Sequence, residues 1–183
     1  DVPSWLTFNA ATGVLTGTPL NANVGTSGND VTLTVTDNQV TVTQTFTITV
    51  ANTNDAPTIS SQAVTTVNED ATYTYTVVGS DDDANDGMTL SVTSTLPSWL
   101  SFDATTGVLS GIPLNANVGT QDVTVQAEDT AGATGTQTFT ITVANTNDAP
   151  TVDSTAPTAV DEDSVYTYTV QASDVDTGDQ VAL

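Results

Sequence analysis

The stretch TQTFTITVANTNDAPT at residues 43–58 occurs again, without a substitution, at residues 136–151. Its first half alternates threonine with large apolar residues, namely Phe46, Ile48 and Val50. A period of two places these apolar side chains on one face of a half-buried antiparallel strand. Its second half is polar and contains a proline, which is typical of a loop. The stretch therefore predicts a strand and a following link that recur along the chain.

The duplication extends well beyond this stretch. PSWL at 3–6 returns at 97–100, and PLNANVGT at 19–26 returns at 113–120. Self-similarity at a fixed spacing is the signature of a repeat architecture. We therefore predict a first segment (residues 1–51, the later part of one repeat), a link (52–57), a central segment (58–144, a complete repeat), a second link (145–150) and a last segment (151–183, the early part of a third repeat).

Short alternating runs dominate every segment. Further examples are 31–35, 73–77, 90–92 and 123–125. ATTGVLSG at 104–111 predicts a hairpin that turns at Thr106 and Gly107, and no segment shows the 3.6-residue period of a helix. About seven short strands per repeat predict an all-β fold of tandem immunoglobulin-like antiparallel β-sandwiches in a linear array.

The two partial segments leave two arrangements open. In the first, the 183 residues are a piece of a longer, continuous tandem array. In the second, the end of one chain completes the start of the next, so that head-to-tail copies form a filament by strand complementation. The mass of the natural protein would separate the two arrangements.

The charge of the chain restricts its partners. It contains 22 acidic residues and no Lys, Arg, His or Cys, which gives a net charge of −22. Nucleic acids and anionic membrane surfaces bind through Lys and Arg, so neither is an expected partner. No run of eighteen apolar residues, start methionine or basic leader is present. We therefore expect neither a membrane span nor a signal peptide in this stretch.

The acidic residues are clustered near the ends of predicted strands. The clusters lie at 69–70, 81–86, 128–129, 161–163 and 174–179. Two carboxylates about 4–6 Å apart repel each other by roughly 1 kcal/mol in water. Ca²⁺ reverses the sign of this interaction because it binds several oxygen ligands in a flexible geometry. The clusters predict either calcium sites or a solvated acidic surface, and the lack of His and Cys disfavours zinc and copper.

The links and the loops after them resemble those of cadherin repeats. TITVANTNDAP, at 47–57 and 140–150, is similar to the last strand and Asp-rich link of a cadherin repeat. GSDDDAND at 79–86 and ASDVDTGD at 172–179 resemble the Asp-x-Asp loop of the repeat that follows. An EF-hand is excluded for the first of these loops, because Asp86 and Val92 replace its required Gly and Glu.

Three further motifs extend the resemblance over the whole chain. NED at 68–70 and DED at 161–163 resemble the early glutamate of the cadherin family, and AEDTAG at 127–132 resembles its later Ala-x-Asp motif. LPSWLSFDATTGVLSGIPLNANVGT at 96–120 is similar to the dystroglycan-type cadherin-like and immunoglobulin-like domains of long bacterial surface adhesins. The resemblance implies calcium bound at the joint between successive repeats.

Carried over residue by residue, the resemblance implies a calcium site at each of two joints. The implied ligands of the first joint are Asn52, Asn54, Asp55, Asp81, Asp83 and Asp129. The implied ligands of the second joint are Glu69, Asn145, Asn147, Asp148, Asp174 and Asp176. Asp86 and Asp179 lie near a further ligand position of the family, and Glu162 would serve a joint beyond residue 183.

The chain departs from the family pattern at two places. The family's link begins with Asp, whereas Asn52 and Asn145 are neutral. Its Asp-Arg-Glu motif is missing, and NAN stands near that place at 21–23 and 115–117. Fewer charged ligands predict fewer ions or weaker binding at each joint.

These features together predict a calcium-stiffened, extracellular stalk or fibre segment of a bacterial surface adhesin. Its expected partners are neighbouring repeats or head-to-tail copies. The alternative is an adhesive module that binds a cell-surface carbohydrate or protein. Trp5 and Trp99 are interpreted as core residues rather than as sugar platforms, because they recur at matched positions. Paired carboxylates also occur in glycosidases, but their position at repeat ends favours an architectural role over an enzyme.

Overall fold

A computed structural model describes residues 1–83 and 86–183. Within these ranges the regular structure consists of β-strands and two 3-10 turns, at Asn21–Asn23 and Asn115–Asn117. The strands are β1 (Leu6–Asn9), β2 (Val14–Gly17), β3 (Asp30–Thr36), β4 (Thr41–Thr47), β5 (Thr58–Ile59), β6 (Thr66–Asn68), β7 (Tyr73–Thr76), β8 (Gly79–Ser80), β9 (Met88–Val92), β10 (Leu100–Asp103), β11 (Val108–Gly111), β12 (Gly119–Asp129), β13 (Thr134–Ala144), β14 (Thr151–Val152) and β15 (Ala172–Ser173). The all-β prediction is confirmed. The described part of the chain contains no helix that is long and apolar enough to cross a bilayer.

The chain forms two compact units. The first unit comprises Asp1–Thr58, Ser80–Met88 and Glu128–Gly135. The second unit comprises Ile59–Gly79, Thr89–Ala127 and Thr136–Leu183. The link 52–57 therefore belongs to the first unit, and the link 145–150 belongs to the second.

The core of the second unit lies between two sheets of the central segment. One sheet has the strand order β10-β11-β7 and the other has the order β6-β13-β12-β9. The buried side chains of the core are Tyr73, Tyr75, Val77, Leu100, Leu109, Val123, Val125, Phe139 and Ile141. Burying a large apolar side chain contributes about 1.5–3 kcal/mol. Two sheets that share such a core form a β-sandwich, as the alternation of apolar residues predicted.

Aromatic residues hold the two sheets together. The rings of Tyr75 and Phe139 meet edge to face at 5.5 Å and 89°. The Tyr75 hydroxyl donates to Gln137 Oε1 at 2.8 Å and lies 2.7 Å from Ser61 Oγ. Trp99 packs edge to face on Tyr73 at 6.0 Å. The interpretation of Trp99 as a core residue is therefore confirmed.

The predicted hairpin is present, but its turn is longer than two residues. β10 and β11 pair up to Asp103 and Val108, which leaves a loop of residues 104–107. Asp103 Oδ1 accepts the backbone N–H of Thr105 at 2.9 Å, so an aspartate side chain organises the start of the turn. Gly107 closes the turn at φ +71°, a conformation that favours glycine. The hairpin predicted to turn at Thr106 and Gly107 is therefore confirmed, and its loop begins two residues earlier, at residue 104.

The first segment exposes part of the face that the central segment buries. Its strands pair as β1-β2 and β3-β4, and Val31 is fully buried. Phe46 is 37% exposed, whereas its repeat equivalent Phe139 is 9% exposed. The ring that covers Phe139 belongs to Tyr75 on β7, and residues 1–51 contain no counterpart of that strand. The alternation of the repeated stretch thus predicts a fully buried face only where the strand that packs against it, here β7, is also present.

The repeated stretch also forms strands of different length in its two copies. β4 ends at Thr47, whereas β13 continues to Ala144. The last residues of β13 pair in parallel with β6, from Thr142 opposite Thr66 to Ala144 opposite Asn68. Residues 1–51 contain no counterpart of β6. The strand predicted to reach Val50 therefore ends earlier, and beyond it Val50 pairs only with Gly25, in an isolated antiparallel bridge.

The last segment forms a single pair of short strands, β14 and β15, among its described residues. Tyr166, the repeat equivalent of Tyr73, lies outside these strands and is 49% exposed. In the central segment, β7 pairs with β11, and residues 151–183 contain no counterpart of β11. A strand needs its neighbour as well as its own sequence pattern.

Candidate metal centres

Four acidic side chains are buried in the described structure. They are Glu69, Asp83, Asp129 and Asp176, with exposed fractions of 2%, 6%, 7% and 5%. Burying a carboxylate costs several kcal/mol unless a counter-charge and hydrogen bonds compensate. The chain has no Lys, Arg or His to supply that charge. All four residues were predicted as calcium ligands from the resemblance.

The first cluster, in the first unit, consists of Asn54, Asp55, Asp81, Asp83, Asp86 and Asp129. Its loop is folded locally, because Asp81 Oδ1 accepts the backbone N–H of Asp83 at 2.8 Å. Asp83 Oδ2 accepts the backbone N–H of Asp55 at 2.7 Å and so holds the link against the loop. In the Asp-x-Asp pair, the first carboxylate therefore stabilises the loop and the second binds the backbone of the link.

The second cluster, in the second unit, consists of Glu69, Asn147, Asp148, Asp174, Asp176 and Asp179. It repeats the same pair of bonds. Asp174 Oδ1 accepts from the N–H of Asp176 at 2.9 Å, and Asp176 Oδ2 accepts from the N–H of Asp148 at 2.6 Å. The residue between the two acids is Asp82 in one loop and Val175 in the other. The local geometry is therefore set by the two flanking aspartates and not by the residue between them.

Asp129 enters the first cluster from the end of β12. Asn54 Nδ2 donates to Asp129 Oδ2 at 2.8 Å and to the Asp55 carbonyl at 3.0 Å. Asp129 Oδ1 accepts from the N–H of Ala133 at 2.8 Å. The hydrogen bond from Asn54, supported by backbone N–H groups, lowers the pKa of Asp129 in spite of its burial. This carboxylate therefore stays ionised at neutral pH.

Glu69 enters the second cluster directly after β6. Its Oε1 accepts the backbone N–H of Thr146 at 2.6 Å, so it holds the second link. Its own N–H donates to the carbonyl of Ala144 at 2.9 Å. Its other oxygen, Oε2, is buried and has no hydrogen-bond partner among the described residues.

Among the described residues, carboxylate oxygens of different side chains lie close together in three groups. The groups are Asp81, Asp86 and Asp129; Glu69, Asp148 and Asp176; and Asp174, Asp176 and Asp179. In each group the potential ligand atoms lie within 4.8 Å of one another. Asp176 belongs to two groups, which makes them neighbours. At this separation each pair of charges repels by roughly 1 kcal/mol in water, and more where solvent is partly excluded.

The donor atoms of the clusters fit Ca²⁺. Three carboxylate oxygens are buried without a hydrogen-bond partner in the described ranges, namely Glu69 Oε2, Asp81 Oδ2 and Asp83 Oδ1. An unpaired buried anionic oxygen is an unfavourable arrangement that a hard cation would relieve. The side chains that surround these atoms supply only oxygen acceptors and amide groups, as Ca²⁺ prefers.

The structure brings most of the implied ligands together. Asn147 Nδ2 donates to the Asp148 carbonyl at 2.7 Å, as Asn54 does to Asp55. Asn52 and Asn145 are exposed, and neither side chain is hydrogen-bonded to the described cluster residues. Asp86 and Asp179, the weaker candidates, each belong to a group of three carboxylates. The ligand assignments themselves stay predictions.

Two asparagines that were not predicted as ligands reach the clusters. Asn21 Nδ2 donates to Asp55 Oδ2 at 2.7 Å, and Asn115 Nδ2 donates to Asp176 Oδ1 at 2.9 Å. Both are the first residue of a NAN turn. The signal in the sequence was the unchanged return of PLNANVGT, but a repeated motif does not say which side chain faces a neighbour.

Comparisons with known proteins agree with this architecture. Residues 1–51 and 56–144 match the model of a family described as "Putative Ig domain". A relative in sequence is the "Serine-rich adhesin for platelets" of Staphylococcus aureus strain MRSA252, which is 34% identical over 143 residues. That alignment covers 75% of this chain but spans only 10% of the length of the adhesin.

Solved cadherin structures resemble the chain in fold. The extracellular cadherin domains 1–4 of protocadherin gamma B7 align over 94% of this chain and 47% of their own, with a TM-score of 0.56 and 21% identity. Drosophila N-cadherin EC1-4 aligns over 96% of this chain and 49% of its own, with a TM-score of 0.54 and 17% identity. At these identities the likeness concerns the fold alone, which is an immunoglobulin-like β-sandwich.

Proposed function

The chain belongs to the "Putative Ig domain" family, and from this membership we propose that it is a stalk segment of a bacterial surface adhesin, stiffened by Ca²⁺. We place it outside the cell, with its own neighbouring repeats as partners and without a catalytic role. The similarity to a staphylococcal adhesin supports the adhesin assignment. The two carboxylate clusters support the calcium assignment.

One observation carries the calcium proposal. Glu69 and Asp83 are at least nine-tenths buried, and each has an oxygen without a hydrogen-bond partner in the described structure. A solvated acidic surface would leave such oxygens in contact with water. A metal site buries them and leaves their lone pairs free for the ion. The clusters therefore favour a site for a cation over plain acidic solvation.

The repeat equivalence suggests two cation centres at each joint. In the second cluster one centre would use Glu69, Asp148 and Asp176, and the other would use Asp174, Asp176 and Asp179, where Asp174 and Asp179 are the repeat equivalents of Asp81 and Asp86. Asp176 takes part in both groups of the second cluster, so its carboxylate would bridge the two centres. Bound Ca²⁺ would supply the positive charge that the sequence lacks.

The residues of the clusters would stiffen the joint by fixing the link. Asp83 and Asp176 each hold a backbone N–H of a link, and Glu69 holds a second N–H of its own link. These same carboxylates repel their neighbours as long as no cation compensates their charge. A cation would remove that repulsion and leave the hydrogen bonds to the link intact. The joint would then resist bending.

The test is a calcium titration of the 183-residue chain, followed by small-angle X-ray scattering and by thermal unfolding. We expect millimolar Ca²⁺ to raise Tm and to change the radius of gyration, whereas Mg²⁺ at equal ionic strength has a weaker effect. Sites of the weak extracellular class bind at roughly 10⁻⁴–10⁻³ M. Identical Tm and radius of gyration in EDTA and in millimolar Ca²⁺ would refute the proposal.

A further inference from the structure

Two strands of the first segment have a free edge. Among the described residues, β2 pairs with β1 and β4 pairs with β3, each in a two-stranded sheet. Their counterparts in the central segment have neighbours on both sides, because β11 lies between β10 and β7, and β13 lies between β6 and β12. A free edge presents N–H and C=O groups to which a further strand can bind. β2 and β4 are therefore each open to one more strand.

The apolar side chains beside these edges are exposed as well. Phe8 and Phe46 are 43% and 37% exposed, whereas their repeat equivalents Phe102 and Phe139 belong to the core of the central segment or pack against it. Covering such surface is favourable because it removes apolar area from water. The first segment thus presents an apolar face together with two strand edges.

The last segment carries the side chains that would cover this face. Tyr168 is the repeat equivalent of Tyr75, whose ring packs on Phe139. The Tyr168 hydroxyl lies 2.7 Å from Ser154 Oγ and donates to the Ser154 carbonyl at 3.0 Å. Tyr75 makes the same two contacts with Ser61, at 2.7 and 3.3 Å. The position of Tyr168 is therefore fixed within its own segment.

Tyr166 is arranged in the same way as its equivalent Tyr73. The Tyr166 hydroxyl donates to the Pro157 carbonyl at 3.0 Å, as the Tyr73 hydroxyl does to the Val64 carbonyl at 2.7 Å. Tyr73 is buried beneath the neighbouring strand, whereas Tyr166 is exposed. The hydrogen bonds of Tyr166 thus exist without a covering partner. A surface that is already ordered loses less conformational entropy when it binds.

We propose that residues 151–183 of one copy bind residues 1–51 of a second copy, so that two chains close one β-sandwich between them. Residues 166–169 would join the free edge of β2, as β7 joins β11. Residues 159–161 would run parallel to residues 49–51, as β6 does to the end of β13. Tyr168 would donate to Gln44, as Tyr75 does to Gln137 at 2.8 Å. An exchange of equivalent elements between copies is a domain swap.

The repeat identifies a second copy as the partner. Residues 43–58 and 136–151 have the same sequence, so β4 offers a partner the same side chains that β13 offers within its own sheet. The side chains that would meet, such as Tyr166, Tyr168 and Phe46, are uncharged, whereas each copy carries a charge of −22. Salt screens the repulsion between copies and should therefore strengthen the association. The inference goes beyond the proposed stalk function and requires no calcium.

The first test is cysteine cross-linking in EDTA, since the chain contains no cysteine of its own. Thr74 lies opposite Ser110 in the β7–β11 pair, and their repeat equivalents are Thr167 and Thr16. Opposed residues of antiparallel strands lie about 5 Å apart, which suits a disulfide. We therefore expect an oxidised mixture of Thr16→Cys chains and Thr167→Cys chains to give more disulfide-linked dimer than either variant oxidised alone. Thr7→Cys, mixed with Thr167→Cys, is the matched control. Thr7 lies opposite Thr16 on β1, so it would be about 10 Å from Thr167, too far for a disulfide.

The second test is light scattering in EDTA, which measures the mass of the particles in solution. We expect the average mass of the unmodified chain to rise with protein concentration and with NaCl. Gln44→Ala should weaken the association about tenfold, because its equivalent Gln137 makes hydrogen bonds with Tyr75 and Ser61. Gln39→Ala is the control, since this residue is exposed in the turn between β3 and β4.

Three results would overturn the inference. They are a chain that stays monomeric at every concentration, equal cross-linking by Thr7→Cys and Thr16→Cys, and equal effects of Gln44→Ala and Gln39→Ala on the association. Because EDTA removes calcium from both tests, none of these results bears on the calcium proposal, and a failed calcium titration leaves this inference intact.

Discussion

Replacing Glu69 by glutamine should have opposite effects with and without calcium. The side chain is 2% exposed, and Oε1 accepts the N–H of Thr146 at 2.6 Å. A glutamine of the same shape keeps that acceptor and replaces the unpartnered Oε2 by an N–H₂ group. The new amide would lie in the same group as the carboxylates of Asp148 and Asp176, whose ligand oxygens lie within 4.8 Å of one of the Glu69 oxygens. The substitution therefore removes one negative charge from a group of three and adds a donor.

The magnitude follows from Coulomb's law. Each pair of charges at 4.8 Å repels by roughly 0.9 kcal/mol in water and by roughly 3.5 kcal/mol at the effective dielectric constant near a protein surface. Two neighbours give at least about 2 kcal/mol, so we expect the free energy of unfolding in EDTA to rise by that amount. For a cooperative unit of about 90 residues this raises Tm by roughly 8 °C or more.

In calcium the sign reverses. The variant offers the ion a neutral side chain in place of a charged ligand, so the stabilisation by Ca²⁺ should shrink and its Tm should fall below that of the wild type. Thermal unfolding of the variant and of the wild type, first in EDTA and then in millimolar Ca²⁺, measures both effects.

The matched control is Asp70→Asn, which makes the same change of charge one residue away. Asp70 is exposed, and its φ of 58° is a conformation that asparagine tolerates. We expect a change within about 0.5 kcal/mol in both conditions. If Glu69→Gln destabilises the chain in EDTA as much as in Ca²⁺, the carboxylate is satisfied without a cation and the reasoning is wrong.

Two further predictions concern the β-sandwich. Gly111→Ala should lower the free energy of unfolding by about 3 kcal/mol or more, because the added Cβ would overlap the Trp99 carbonyl oxygen. Gly132→Ala is the control, because its added Cβ meets nothing within 4 Å. It should lower the free energy of unfolding by only about 1–2 kcal/mol, owing to its φ of +89°. Equal losses for the two variants in urea unfolding would contradict this reasoning. Burial, with a smaller contribution from Tyr75, raises the pKa of Tyr73 to about 12 from 10.0. Below pH 10 the hydroxyl is neutral in the folded and in the unfolded state. Between pH 10 and about 12 it is ionised in the unfolded state and still neutral in the folded state, so the free energy of unfolding should fall as the pH rises. Urea unfolding of Tyr73→Phe should show a smaller loss over this range, and an unchanged pH dependence would assign the effect to other groups.

Several features of the site were accessible from the sequence because they are local. The Asp-x-Asp pair folds its own loop, since Asp81 accepts an N–H from Asp83 two residues away. Asn54 donates to the carbonyl of its neighbour Asp55 in the same way as Asn147 does to Asp148. Such contacts depend on short stretches of chain, and identical stretches therefore gave similar geometry in both clusters.

Other features were not accessible because they depend on partners distant in sequence. Asn54 also reaches Asp129, 75 residues further along the chain, and Asn115 reaches Asp176 across 61 residues. The family resemblance implied Asp129 as a ligand, but nothing in the sequence distinguished the first asparagine of a NAN turn from the third. Their roles differ because only the third accepts the N–H that closes the turn.

The sequence by itself determined the strands, the repeats and the acidic composition of the links, since a period of two and a duplicated stretch require no knowledge of three-dimensional contacts. The tertiary structure decided which of these elements are buried. Phe46 and Phe139 lie in the same sixteen-residue sequence, yet one is 37% and the other 9% exposed. The difference arises because burial is a property of two surfaces in contact, and only Phe139 has the ring of Tyr75, on β7, packed against it. For the same reason, the structure alone revealed which carboxylate oxygens are buried without a partner.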